Sequence, residues 1–157
     1  GEPMPTLAQY LEAAKDTKVH LVLELKPHAT PEAETAAAEA VVKMVGRYGL
    51  SKRVTYISFS LHVMKELARL APAKTQLMYL GGGTLPKDLK AMGLTGCDFN
   101  YGVYLNNPTW LNDIKALKMA SNVWTVNNPA DMIWAIENRV DFITTDRPDL
   151  FLKLTRK

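Results

Sequence analysis

Glu24 and Lys26 stand two residues apart near the end of the apolar run VHLVLELKP, and they are the chain's clearest chemical signal. In an extended strand, alternation puts Val19, Leu21, Leu23 and Leu25 on one face and His20, Val22, Glu24 and Lys26 on the other. The leucine face belongs under helices. The other face points into a barrel lumen or an active-site crevice, with Glu24 and Lys26 nearest the functional end. Two residues of strand separate their Cα atoms by roughly 6.6 Å, so the pair need not neutralise itself directly. A buried carboxylate must meet a cation or shift its pKa. Two cations are candidates, Lys26 itself or a divalent metal, and a Glu–Lys pair that merely fills a core is the structural alternative.

The other polar residues form no comparable set. His20 lies low on the same strand and reads as a core residue, His62 begins a helix and reads as surface, and His28 follows Pro27 at the functional end. Ser58 has no GxSxG context, which argues against a serine hydrolase. Gly81, Gly82 and Gly83 match neither a P-loop nor a dinucleotide fingerprint and read as a flexible turn. Phe59 and Trp124 sit at strand ends, where an aromatic walls the apolar side of a pocket or packs in the core.

These residues need elements to hold them. VHLVLELK, VTYISF, TQLMYL, FNYGVYL, VWTV and DFIT read as six strands, each followed by a helical pattern. Thr6, Thr30 and Ser60 are placed to cap helices, and Pro31 stands at a first helical position. The helix after Thr30 is expected to bury Ala37, Ala40, Val41, Met44 and Val45, and the one after VWTV to carry Met132, Ile133 and Ile136 inward. PDLFLKLTRK closes the chain with a helical turn or two.

A small echo recurs in LNNP, VNNP and TDRP, each read as a strand end, then polar residues, then Pro at a helix start. Asn107 and Asn128 suit the capping position, and Asp146 serves where Arg147 cannot. Asn127 and Asp146 either cap helices or face a site, since binding sites of parallel α/β folds lie at the C-terminal ends of strands. Strands alternating with helices through junctions of one design suit a (β/α) barrel.

Composition narrows the class. The chain has 157 residues, enough for one domain with a real core, and the 19 Lys and Arg are interleaved with 16 acids rather than gathered into a nucleic-acid stripe. Cys97 is the only cysteine, so no disulfide framework or thiolate metal site exists. No apolar run reaches membrane-spanning length and no signal peptide is read; a soluble protein is expected, with the compartment left open between bacterial periplasm, medium and cytoplasm. The opening GEPMPTL lacks an initiator Met and is expected to be the later part of a longer protein.

PTL before a helix, LELK, ISF, WTVN and ITTDRPD, in this order, resemble the glycerophosphodiester phosphodiesterases from Pro5 to Leu150. The resemblance implies a TIM barrel that hydrolyses glycerophosphodiesters to glycerol 3-phosphate and an alcohol with a divalent cation, commonly Ca²⁺ or Mg²⁺. It implies Glu24 as a metal ligand, Lys26 facing the phosphate, Phe59 and Trp124 as the aromatic lining, and Asp146 as the Asp of the closing TDRP. The family's HRG strand, its Glu and Asp metal-ligand strand and its V-x-x-HD hairpin, which carry both catalytic histidines, have no counterpart here, and His28 matches neither position.

A complete barrel needs about 250 residues and eight strands, so residues 1–157 are expected to form one incomplete barrel domain of about six βα units, without activity on its own. A missing N-terminal segment or another chain would cover its open sheet edges. Two alternatives remain: a degenerate barrel that binds a phosphate-bearing ligand or a protein without turnover, and an open flavodoxin-like domain.

Overall fold

The computed structural model describes residues 1 and 3–155. The chain falls into two compact units, Gly1–Leu77 and Met78–Lys157. The strands are all parallel where paired and are ordered as they occur in the chain, from β1 to β6. Among the described residues no helix is long and apolar enough to cross a membrane.

The first unit holds α1 (Leu7–Lys15), β1 (Leu21–Glu24), α2 (Pro31–Arg47), β2 (Val54–Ser58), α3 (Leu61–Leu70) and the start of β3 (Gln76–Tyr79). Side chains start its helices. Thr6 and Gln9 close a reciprocal capping box, Thr30 accepts from the Ala33 amide ahead of Pro31, and Ser60 accepts from the Val63 amide. Leu21 pairs with Val54 and Glu24 with Ile57. Alternation holds: Leu21 and Leu25 are buried, and Val22 is 57% exposed.

The stripe on α2 differs from the expectation. Glu34, Ala38 and Val45 are buried, Ala37, Val41 and Met44 are half-buried, and Ala40 is exposed. The run AAAEA offers almost no contrast in side-chain bulk, so it leaves the phase of the helix to its neighbour α3, the element α2 packs against most closely.

The second unit holds the end of β3, then α4 (Pro86–Ala91), β4 (Gly96–Asn100), α5 (Tyr101–Asn106), α6 (Trp110–Ala116), β5 (Ala120–Trp124), α7 (Pro129–Glu137), β6 (Phe142–Ile143) and α8 (Pro148–Thr155). Its core centres on Phe99, whose ring lies 5.7 Å from Tyr104 and 5.6 Å from Trp110. The segment FNYGVYL is not one strand. The strand ends at Asn100, whose side chain accepts from the Gly102 amide and starts α5. Aromatic and β-branched residues favour strands in general, but here Tyr104 sits on a helix so that its hydroxyl can donate to the Asn122 carbonyl at 2.9 Å. Asn107 consequently ends α5, and Thr109 precedes α6.

Ile133 and Ile136 are 42% and 40% exposed, while Met132 and Ala135 are buried. The closing helix α8 buries none of its residues, and Arg156 and Lys157 lie outside the described residues.

One turn design recurs before the strands. Gly49, Gly93, Lys118 and Arg139 each have positive φ, of 68°, 85°, 54° and 54°. The amides that follow them reach back five residues, from Leu50 to the Val45 carbonyl, Leu94 to Leu89, Met119 to Ile114 and Val140 to Ala135. These are Schellman closures, in which a left-handed residue satisfies the last carbonyls of a helix.

Candidate active site

At the C-terminal end of β1 the Lys26 ammonium donates to Glu24 Oε1 at 2.8 Å, with the two side chains 77% and 31% exposed. The pair therefore does neutralise itself, because the long side chains close a gap that the backbone spacing leaves open. Nor is Glu24 deeply buried, so water shares the screening of its charge.

The loops that follow β1 and β2 are held by a continuous set of hydrogen bonds. Ser58, fully buried, donates to the Leu25 carbonyl at 2.6 Å and accepts from the Ser60 amide at 3.0 Å. Ser60 donates to Glu34 Oε2 at 2.8 Å, and Glu34 Oε1 accepts from the His28 amide at 3.2 Å. Ser58 is thus a structural hydroxyl. Phe59, between the two serines, is 44% exposed.

Two of the histidines are employed elsewhere. His20 is exposed rather than in the core, and its Nε2 meets Thr55 Oγ1 at 2.9 Å, whose proton goes to Gln76 Oε1 at 2.8 Å. His62 is half-buried rather than surface, with Nε2 at 3.0 Å from Thr35 Oγ1.

In the second unit, Trp124 closes β5. Its indole donates to the Asp98 carbonyl at 2.9 Å, and a cis peptide follows it. Beneath it, the Asn122 amide donates to Asp98 Oδ1 at 2.7 Å and to Thr144 Oγ1 at 2.9 Å, which ties β5 to β4 and to the residue that follows β6. Asn127 and Asp146 come together: the Asn127 amide donates to Asp146 Oδ2 at 2.8 Å, and the Asp146 backbone amide donates to Asn127 Oδ1 at 2.9 Å. Asp146 therefore clamps two strand ends, and the capping of α7 falls to Asn128.

The glycine run does form a turn, in which Gly81 and Gly82 are closely packed and Gly83 has open space around it. A Cβ on Gly81 would lie 2.5 Å from the Tyr79 hydroxyl, and one on Gly82 would lie 2.3 Å from Val103.

Burial, with help from Asp131, pushes the Tyr101 hydroxyl up, and the Arg147 guanidinium holds Asp149 below the usual carboxylate range. Burial and the adjacent Asp98 push the Cys97 thiol up to about 12, which leaves it inert.

A divalent cation needs several oxygen ligands. Among the described residues no group of three or more His, Cys, Asp or Glu is placed to hold one. These residues do not by themselves fit the ion; Glu24 would bring it one carboxylate.

Glu34 is the residue that sequence reasoning missed. Its signal was its spacing: positions 34, 38 and 45 share one helical stripe, so a carboxylate lay on the buried face.

Parallel strands in chain order, joined through helices and ending in polar side chains, define an α/β protein of the barrel class. Within that class the chain belongs to the Glycerophosphoryl diester phosphodiesterase family, which it matches over residues 1–150. A glycerophosphodiester phosphodiesterase of Caldanaerobacter subterraneus is 29% identical over 164 residues, an alignment covering all of this chain and 64% of the relative. A crystal structure of a glycerophosphodiester phosphodiesterase from Parabacteroides distasonis superposes with a TM-score of 0.95 at 48% identity, covering 98% of this chain and 65% of that one. An Oleispira antarctica phosphodiesterase, solved in complex with the product sn-glycerol-3-phosphate, shares the fold at 19% identity and a TM-score of 0.81, over 95% of this chain and 60% of its own. The chain thus spans just under two thirds of the length of the first two relatives.

Proposed function

We propose that these residues are the larger part of one barrel domain that hydrolyses glycerophosphodiesters to glycerol 3-phosphate and an alcohol. The observation that carries the reading is the accessible Glu24–Lys26 pair at the C-terminal end of a parallel strand, in a chain of this family. Lys26 offers a mobile ammonium to the phosphate and favours negative charge as it builds on the phosphoryl oxygens. Glu24 contributes one carboxylate to a divalent cation, Ca²⁺ or Mg²⁺, whose remaining ligands come from outside these residues. Such an ion would neutralise phosphate charge when bound. Phe59 offers an apolar surface beside the pair in the first unit. The Oleispira complex supports the choice of ligand class.

The 157-residue chain alone is expected to bind but not to turn over, because the family's histidine-bearing segments have no counterpart in it and the rings of His20 and His62 are bonded to Thr55 and Thr35. Further polypeptide is expected to pair with the outer strands, β1 and β6. The test is to incubate the purified chain with a glycerophosphodiester and Ca²⁺ or Mg²⁺, measure glycerol 3-phosphate, and titrate the same chain with glycerol 3-phosphate by NMR. Saturable shifts at Lys26 with no release fit the proposal. Release that Glu24→Ala abolishes would overturn the inactivity of the chain, and no shift at Lys26 would overturn the site.

A further inference from the structure

We infer that Glu34 is a positioning residue for the Glu24–Lys26 end, strapping the loop after β1 to the loop after β2; this deepens the function proposed above and rests on it. Glu34 is only 6% exposed, yet both of its carboxylate oxygens are employed. One accepts from the backbone of His28, two residues beyond Lys26, and the other from the side chain of Ser60, next to Phe59. Burying a carboxylate is costly unless its oxygens are bonded, and these bonds go to two different loops.

The directions of the hydrogen bonds make the strap specific. The Ser60 hydroxyl spends its proton on Glu34, and its oxygen accepts the Val63 amide that starts α3. The Ser60 amide donates to Ser58, whose proton goes back to the Leu25 carbonyl at the end of β1. No donor in this chain of bonds is used twice. Glu34 therefore closes a ring that runs from β1 through Ser58 and Ser60 to α2 and returns at His28.

A second tie, from Thr35 to His62, joins the same first turns of α2 and α3. The helix-start position adds favourable charge complementarity, because exposed amides of a first turn favour an anion. A Glu chosen only for that purpose would sit in solvent; this one is turned inward onto the two loops that carry the candidate residues.

The experiment is amide hydrogen exchange on the 157-residue chain, with a glycerol 3-phosphate titration of the same samples. In Glu34→Ala the His28 and Ser60 amides are expected to exchange at least about tenfold faster, the size set by losing hydrogen bonds to a charged acceptor. The paired amides of β1 and β2 should not change. The dissociation constant for glycerol 3-phosphate should rise by about tenfold. Glu34→Gln keeps the volume and one acceptor, and should restore both readouts to within about threefold of the parent.

Unchanged exchange at His28 in Glu34→Ala would overturn the strap. Faster exchange with unchanged affinity would reduce Glu34 to a structural residue and overturn the positioning role. If the parent chain itself does not respond to glycerol 3-phosphate, the phosphate reading fails separately, and exchange alone decides the strap. Should Glu34→Ala not fold, Ser60→Ala removes the bond to Oε2 together with the cap on the Val63 amide, and leaves the bond from His28 to Oε1 in place. It should free the loop after β2 while His28 stays protected, and loss of protection at neither place overturns the inference.

Discussion

At the starts of the strands one backbone closure is used repeatedly, whereas at their ends the side chains make a different set of contacts at each strand. Gly49, Gly93, Lys118 and Arg139 occupy the same left-handed position and are followed by the same backbone bond. The opposite ends carry an ion pair at Glu24 and Lys26, a buried serine at Ser58, an indole bond at Trp124 and an Asn–Asp clamp at residues 127 and 146. Backbone alone can build the first kind of junction, so its side chains are free to vary. Side chains build the second kind, so each is committed. In barrel folds the C-terminal ends carry chemistry and the N-terminal ends carry stability, and the site proposed at Glu24 and Lys26 follows that line.

The division is most exposed to a single added methyl at a strand start. Gly96 opens β4, and a Cβ there would lie 2.8 Å from the Ala120 carbonyl oxygen and 2.8 Å from two atoms of Met78. The carbonyl belongs to the β4–β5 ladder and cannot yield without loss of pairing. Gly96→Ala is therefore expected to cost about 3 kcal/mol, at the upper end for overpacking. Urea unfolding would read this as a lower midpoint, and a variant as stable as the parent would show that the strand starts are looser than this packing implies.

A strand-end substitution should do the reverse. Lys26 is 77% exposed and its ion pair is solvated, so Lys26→Ala should move stability by less than about 1 kcal/mol. The same change removes a charged donor from the proposed phosphate, worth about 1.5–3 kcal/mol, or more than tenfold in affinity. Thermal unfolding and a glycerol 3-phosphate titration, run on one sample, check both halves. A marked loss of stability with affinity intact would break the contrast between the two ends.

The same contrast explains what could be read from the sequence. Caps at Thr6, Thr30, Ser60 and Asn128 were legible because each depends on one side chain and the few amides after it. The strand VHLVLELK was legible in its alternation, although its paired part is only Leu21–Glu24. Glu24 and Lys26 stood out by type and by family resemblance, but their direct pairing depended on rotamers that spacing does not specify. α5 reads locally as strand because Tyr101, Val103 and Tyr104 favour one, and a distant carbonyl on β5 decides otherwise. Glu34 escaped because its partners, His28 and Ser60, lie 6 and 26 residues away and only folding joins them. Long-range polar partnerships leave little local trace, and the strand ends are made of them.

The smallest effect tests the strand starts by exchanging residues within their common design. A left-handed backbone costs an L-residue with a side chain about 1 kcal/mol more than glycine. A methyl added at Gly49, where φ is 68°, would meet no atom within 4 Å, so Gly49→Ala should lose about 1 kcal/mol from backbone strain alone. Lys118, at φ 54°, already bears that strain, so Lys118→Gly should gain close to the same amount, less the added freedom of the unfolded chain. The two substitutions should therefore shift the unfolding midpoint in opposite directions by a similar amount, with no change in glycerol 3-phosphate affinity. If Lys118→Gly instead destabilises, the lysine side chain contributes at that helix end more than its backbone costs, through attraction to the last carbonyls of α6. The closures at the strand starts would then share a backbone bond without sharing an energetic logic, and the line drawn between the two ends would hold for geometry alone.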